Sequence, residues 1–347
     1  MSQLPSPDQT HAEATQWTLH GISLLDRGDR DALLEAQTCF EQAISLRENL
    51  PLDQNPLFRW GLTAGWMNRA DALTRLGGPA RLQEALRSYD IAIAHLHQLP
   101  LDKDLAFRWR LSVAWMNRGL TQQALPNCQE EALRCFDTAI QVMQGHENCD
   151  RRDYQQVQAS TWMNRANALL ALPSPDWPLA AASARRAIQH SRLIEDQDPI
   201  AAEAGIKARH TLCRCLAHLL ESPPISADQG EAWILEATDA VEDVMNLTKN
   251  NTNFHELRAE MFAFGCRMYR AFQPHFLAEF LGDELESGRL TPAMKTAAHE
   301  SIGLAAIQIQ QQNLAGLTPS KLERLVQTLQ ALSETSFKLQ VSDAEAP

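Results

Sequence analysis

Apolar and polar positions along the chain alternate in helical stripes separated by short turn signals. One stripe places a small residue, an aromatic four positions later and a small residue three positions after that. It reads Ala36, Phe40 and Ala43, then Ala85, Tyr89 and Ala92, then Ala132, Phe136 and Ala139. Steps of four and three return to the same face of a helix. Weaker copies end at Ala187-Ile188 and Ala240-Val241. Upstream of each copy lies a second stripe built on a tryptophan and a small residue four later: Trp17 and Gly21, Trp66 and Ala70, Trp115 and Gly119, Trp162 and Ala166. Between the stripes fall Gly28-Asp29, Gly77-Gly-Pro79, Pro126-Asn127 and Pro173-Ser-Pro175, residues that are unfavourable inside a helix. The pattern predicts helix pairs at 11–27 and 30–48, 57–76 and 80–98, 105–124 and 129–145, 153–171 and 177–195, and 200–221 and 228–249. Further helices are predicted at 254–272, 274–287, 292–313 and 319–340, with breaks at Pro223-Pro224 and at Gly316 to Pro319. No strand pattern interrupts them.

The pairs are copies of one another. Trp-Met-Asn-Arg begins at 66, 115 and 162, spacings of 49 and 47 residues. Leu50-Pro-Leu-Asp53 and Phe58-Arg-Trp60 return as Leu99-Pro-Leu-Asp102 and Phe107-Arg-Trp109, and 12 of the 21 positions in 50–70 and 99–119 are identical. A period in this range marks a stack of supersecondary units.

This pattern resembles the tetratricopeptide repeat (TPR) family over residues 14–195, fading over 196–290. The resemblance implies an all-α solenoid of helix pairs, a right-handed superhelix, with the first helix of each pair on the concave side. The small residue would let the second helix approach closely, and the aromatic would fill the space between units. The departure is length, since a family repeat has about 34 residues. The surplus, roughly a dozen residues, lies between the second helix of one pair and the first of the next, and predicts about one or two extra turns on each flanking helix. The expected organisation is a loose tail at 1–10, five to six helix pairs over 11–290, capping helices over 291–340 and a second tail at 341–347.

Large aromatics dominate cores, so Trp66, Trp115 and Trp162 read as packing. Asn68, Asn117 and Asn164 do not, because asparagine is a mediocre helix former that no packing rule demands three times. In the family this position faces the groove, where some members stack asparagines into a ladder that grips the backbone of an extended peptide. An amide side chain both donates and accepts, which suits that task. The bland alternative is an exposed or helix-bonded amide. Leu19 and Thr211 hold the position in the first and fifth units, leaving three rungs. Met67, Met116 and Met163, one residue earlier, read either as an adaptable groove floor or as gap-filling. Arg69, Arg118 and Arg165, one residue later, read either as carboxylate binders or as partners of Asp90 and Asp137. On the second reading the fourth unit has Arg185 in place of the acid. Arg59 and Arg108 are placed at the groove rim or against a neighbour. The family's clamp for chaperone tails needs basic residues one turn before the asparagines, where Ala64, Val113 and Ser160 stand.

Charge narrows the partner. Lys+Arg total 31 and Asp+Glu 43, a formal net charge of −12, which weighs against broad salt-driven nucleic-acid or membrane binding. No apolar run is long enough to span a bilayer. The start lacks the basic and apolar regions of a secretory leader, and seven scattered cysteines suit a reducing cytoplasm. No metal, phosphate-loop, dinucleotide or nucleophile-elbow motif is present, and His95 with His97, or Cys213 with Cys215, diverge on a helix. The expectation is therefore a non-catalytic, cofactor-free cytoplasmic adaptor for a protein or peptide. A regulator responding to groove occupancy is the alternative. An enzyme on a helical solenoid would need a buried acid/base cluster in the groove. Six phenylalanines between 254 and 280 read as a terminal core or as a dimer patch over 254–287.

Overall fold

The computed structural model describes residues 5–310, apart from 147–148, 223–224, 273–276, 278–279, 283 and 285–289. Among the described residues the secondary structure is helical, without a strand. The chain divides into two compact units, 1–205 and 206–347.

The first unit contains α1 (Pro7–Arg27), α2 (Arg30–Glu48), α3 (Pro56–Leu76), α4 (Pro79–Leu96), α5 (Leu105–Gln123), α6 (Gln129–Val142), α7 (Arg152–Leu170) and α8 (Trp177–Arg192). Helix starts follow local chemistry. Asp29, Asn55, Asp104 and Asp176 cap α2, α3, α5 and α8 by accepting from backbone N–H groups of the first turn. Ser6 and Gln9 form a reciprocal capping box, and Pro7 opens α1. That corrects the loose tail expected at 1–10: the helix already runs from residue 7, and residues 1–4 lie outside the described ones. Gly28, Gly77 and Gly78 take positive φ at the tight turns within pairs, where a side chain would be strained.

Each helix packs on its sequence neighbours, and the first helices also touch one another, α1 with α3, α3 with α5 and α5 with α7. This is the architecture of an α-solenoid. The repeated small and aromatic positions form its interior. Phe40, Tyr89 and Phe136 are fully buried, as are the alanines flanking each. A Cβ built on Gly21 would stand 2.5 Å from the Phe40 ring, and one on Gly119 would stand 2.7 Å from Phe136. The same rings pack with Ala72 and Ala168 of the following unit. Phe40 and Phe136 are thus lodged between a glycine of their own pair and an alanine of the next.

The extra length per repeat is shared between helix and loop. The first four helices have 21, 19, 21 and 18 residues. The two Leu-Pro-Leu-Asp loops are built alike: Leu52 N–H donates to Leu50 C=O and Gln54 N–H to Pro51 C=O, as Leu101 does to Leu99 and Lys103 to Pro100.

The division at 205/206 falls within α9 (Pro199–Leu220). The second unit continues with α10 (Ala227–Leu247), a 3-10 turn at Thr252–Phe254, α11 (His255–Phe272) and α12 (Pro292–Gln310). Its core joins Val241, Val244, Met261, Phe262, Tyr269 and Phe280 to Met294 and Ala298 of α12. Phe262 and Phe280 stack at 5.4 Å. Two of the six clustered phenylalanines therefore fill this core, and Phe254 and Phe264 pack partly buried against it. The side chains of Phe272 and Phe276, the predicted helix at 319–340, the tail at 341–347 and the breaks at 223–224 and 316–319 lie outside the described residues.

Candidate functional site

One face of the first unit carries an open cavity of about 760 Å³. Its wall comes from the first helices of three successive pairs, through residues such as Leu19, Ile22, Leu57, Trp60 and Trp109. The rotation of about 100° per residue decides what each position of Trp-Met-Asn-Arg meets. Asn68 and Asn117, two after the tryptophan, line this cavity, while Asn164 does not. Asn117 also reaches inward, its side chain lying with Thr121 beside the Tyr89 phenol. Burial, and then the charge of Asp71, hold that phenol well above its ordinary pKa.

The methionine floor needs correction. Met67 is 91% buried within a core that includes Tyr89 and Leu111, and only its edge reaches the cavity. Met116 packs on the core of Ala132, Phe136 and Ala168, and the Met163 sulfur accepts from the Asn167 amide at 3.1 Å. Met67 and Met116 thus point between the helices, where a flexible side chain fills gaps, whereas the half-buried Met163 contacts its own helix.

Arg59 and Arg108 are also moved away from the groove rim. Arg59 is buried, paired with the exposed Asp53 and donating to Gln98, with His95 at 3.2 Å. Arg108 pairs with Asp102 and donates to the Leu101 and Val142 carbonyls at 3.1 and 3.4 Å. Each arginine ties the Leu-Pro-Leu-Asp loop to the end of the second helix of its own pair. A repeated motif here reports a repeated joint.

The last motif position forms a second joint. Arg118 pairs with Asp90 at 2.8 Å and Arg165 with Asp137 at 2.6 Å, each acid lying in the preceding pair. Arg69 does the same with Glu41 at 2.9 Å and also pairs with Glu84. The partners expected from the sequence were one unit too late, which is why Arg165 seemed to lack one. Each guanidinium further contacts the residue before the next aromatic-position residue: Ser88 at 2.7 Å, Cys135 at 3.1 Å and Ser183 at 2.6 Å. It also lies 5.6–5.9 Å from its own motif tryptophan.

Attention to repeated residues misses the groove's own cations. Arg47, Arg110 and His11 line the cavity, and none belongs to a repeated motif. Arg110 stands where the preceding repeat has Gly61. That mismatch within an otherwise conserved block was the available signal. Among the described residues, no group of three His, Cys, Asp or Glu side chains is placed to hold a metal, and no helix is long and apolar enough to cross a membrane.

No family model matches the chain, and neither does any curated protein. Solved structures do. The Schizosaccharomyces pombe nuclear import adaptor Nro1 aligns at 13% identity over 96% of this chain and 99% of its own, with a TM-score of 0.49. A second crystal form gives 12% identity, 92% and 99% coverage and a TM-score of 0.48. A circular tandem repeat protein aligns at 13% identity over 94% of this chain and 84% of its own, with a TM-score of 0.32.

Proposed function

We propose that the protein is a non-catalytic adaptor that holds an extended peptide segment along the cavity of its first unit. The observation that carries this reading is the wall itself: three successive first helices present apolar side chains together with the amides of Asn68 and Asn117 on one concavity. Apolar walls with a few placed polar groups are the usual composition of a binding site. Asn68 and Asn117 are the rungs, and Asn164 would extend the ladder only for a peptide reaching beyond this cavity. The rest of the motif, Trp, Met and Arg, serves the scaffold.

The test is an affinity capture with the wild-type chain and the Asn68→Ala/Asn117→Ala variant, followed by titration of the captured partner. The expected outcome is a partner held at least about tenfold more weakly by the variant, equivalent to about 1.4 kcal/mol. Because the Asn117 side chain also lies beside the Tyr89 phenol, the variant should melt slightly lower, and affinity is compared per folded molecule. A partner bound equally by both proteins would remove the amides from the binding function.

A further inference from the structure

Two arginines in the groove have no acidic partner among the described residues. Other buried or half-buried guanidiniums of this unit have one: Arg59 with Asp53, Arg69 with Glu41, Arg165 with Asp137. Arg47 is 3% exposed. It donates to the hydroxyls of Thr18 and Thr15 at 2.8 and 3.0 Å, and its Nε–H is buried without a partner. It lies against the backbone of α3 at Gly61, where a Cβ would fall 2.6 Å from that nitrogen. Arg110 lies 3.1 Å over the Trp60 ring centre and donates to the Trp60 carbonyl at 2.8 Å. Its other donors have no acceptor among the described residues. His11 adds a buried Nδ1 without a partner on the same wall. The cavity's one carboxylate, Asp71, is paired with Arg75 at 3.0 Å. The groove therefore carries an excess of positive charge inside a chain of formal charge −12.

Burial, and then the charge of Arg47, push Arg110 down to about 9, while burial alone pushes Arg47 down to about 10. Both remain charged at neutral pH. An uncompensated buried or half-buried cation is destabilising, and a carboxylate that reaches it with good geometry relieves that penalty. A guanidinium held flat on an aromatic ring keeps its in-plane N–H groups for such a fork.

We propose that the groove selects an acidic segment: a peptide carboxylate docks on Arg110, backed by the charge of Arg47, while the rest of the segment runs past Asn117 and Asn68. This inference rests on the peptide-holding reading above and adds the chemistry of the partner. The carboxylate is supplied either by an internal Glu or Asp or by a peptide C-terminus.

Three fluorescein-labelled nonapeptides separate these sources: alternating Glu-Ala with an amidated end, alternating Gln-Ala with an amidated end, and alternating Gln-Ala with a free carboxylate. Each is titrated by anisotropy at low salt into the full chain, into Arg110→Gln and into Asn68→Ala/Asn117→Ala. The expected result is that the amidated Glu-Ala peptide binds at least about tenfold more tightly than the amidated Gln-Ala peptide, with Arg110→Gln abolishing the difference. The asparagine variant should weaken both peptides by a similar factor. Preference for the free-ended Gln-Ala peptide, also lost in Arg110→Gln, would assign the carboxylate to a chain end. Equal binding of all three, or no binding of the Glu-Ala peptide at millimolar concentration, overturns the acidic-segment inference. Equal binding with the asparagine effect intact leaves the groove reading standing. An acidic preference with no asparagine effect instead retains the charge site and removes the ladder. Melting curves accompany each variant, and Arg110→Lys, which keeps the charge but loses the fork, should recover only part of the preference.

Discussion

At the scale of single residues, the glycines in the first helices are the least replaceable positions. A methyl group on Gly119 would need the Phe136 ring to move, since the contact would be 2.7 Å in a fully buried site. Gly119→Ala should destabilise the protein by about 1–3 kcal/mol, the usual range for overpacking. Equilibrium urea unfolding measures this, and Gly119→Ala/Phe136→Leu should recover part of the loss. The equivalent change at Gly77, where nothing lies within 4 Å but φ is positive, acts through backbone strain instead. Thiols follow burial in the same way. Cys39, Cys135, Cys213, Cys215 and Cys266 are buried, and burial pushes the Cys266 thiol up to about 12. An alkylating reagent at neutral pH should therefore modify Cys128 and Cys149 rapidly and those five only on unfolding, as peptide mass mapping would record. These packing residues were legible in the sequence because close packing imposes a period. Arg47 and Arg110 were not, because a ligand site on one face needs no repetition.

At the scale of elements, the loop between pairs is a clasp whose two halves differ in cost. Arg59 is buried, whereas the Asp53 carboxylate is almost fully exposed. Asp53→Ala leaves the guanidinium its bond to Gln98 and its contact with His95, and should cost about 1 kcal/mol. Arg59→Ala removes several bonds and the packing of the stem, and should cost about 2–4 kcal/mol. Denaturation of the two variants checks the order, and a larger loss from Asp53→Ala would refute it. Helix positions were readable from spacing and capping residues to within a few positions. The purpose of Phe-Arg-Trp was not, because a sequence repeat alone does not say whether an arginine turns inward to its own loop or outward to a ligand. The offset of the Arg118 and Arg165 joints was misassigned for a related reason: spacing gives the period but not which neighbour is touched.

At the scale of the whole chain, interactions between helix pairs are local, so damage should be local too. Phe136→Ala opens a cavity between its own pair and α7 and should cost about 3–5 kcal/mol. Hydrogen exchange should show lost protection centred on residues 105–192, while the core of α10, α11 and α12 keeps its own. Uniform loss over both compact units would contradict nearest-neighbour behaviour. The ion pairs between successive pairs have a consequence for how such a chain grows. The second and third units each bring an arginine for the unit before and an acid for the unit after. A copy inserted in tandem would find both halves of its joints already present, and an excision would let the remaining neighbours rejoin. The series Arg69–Glu41, Arg118–Asp90 and Arg165–Asp137 has that self-consistent polarity. In the fourth unit the acid's position is taken by Arg185. Units can thus be gained or lost upstream of Arg185 without new joint chemistry, whereas one added beyond it would have to bring a different joint.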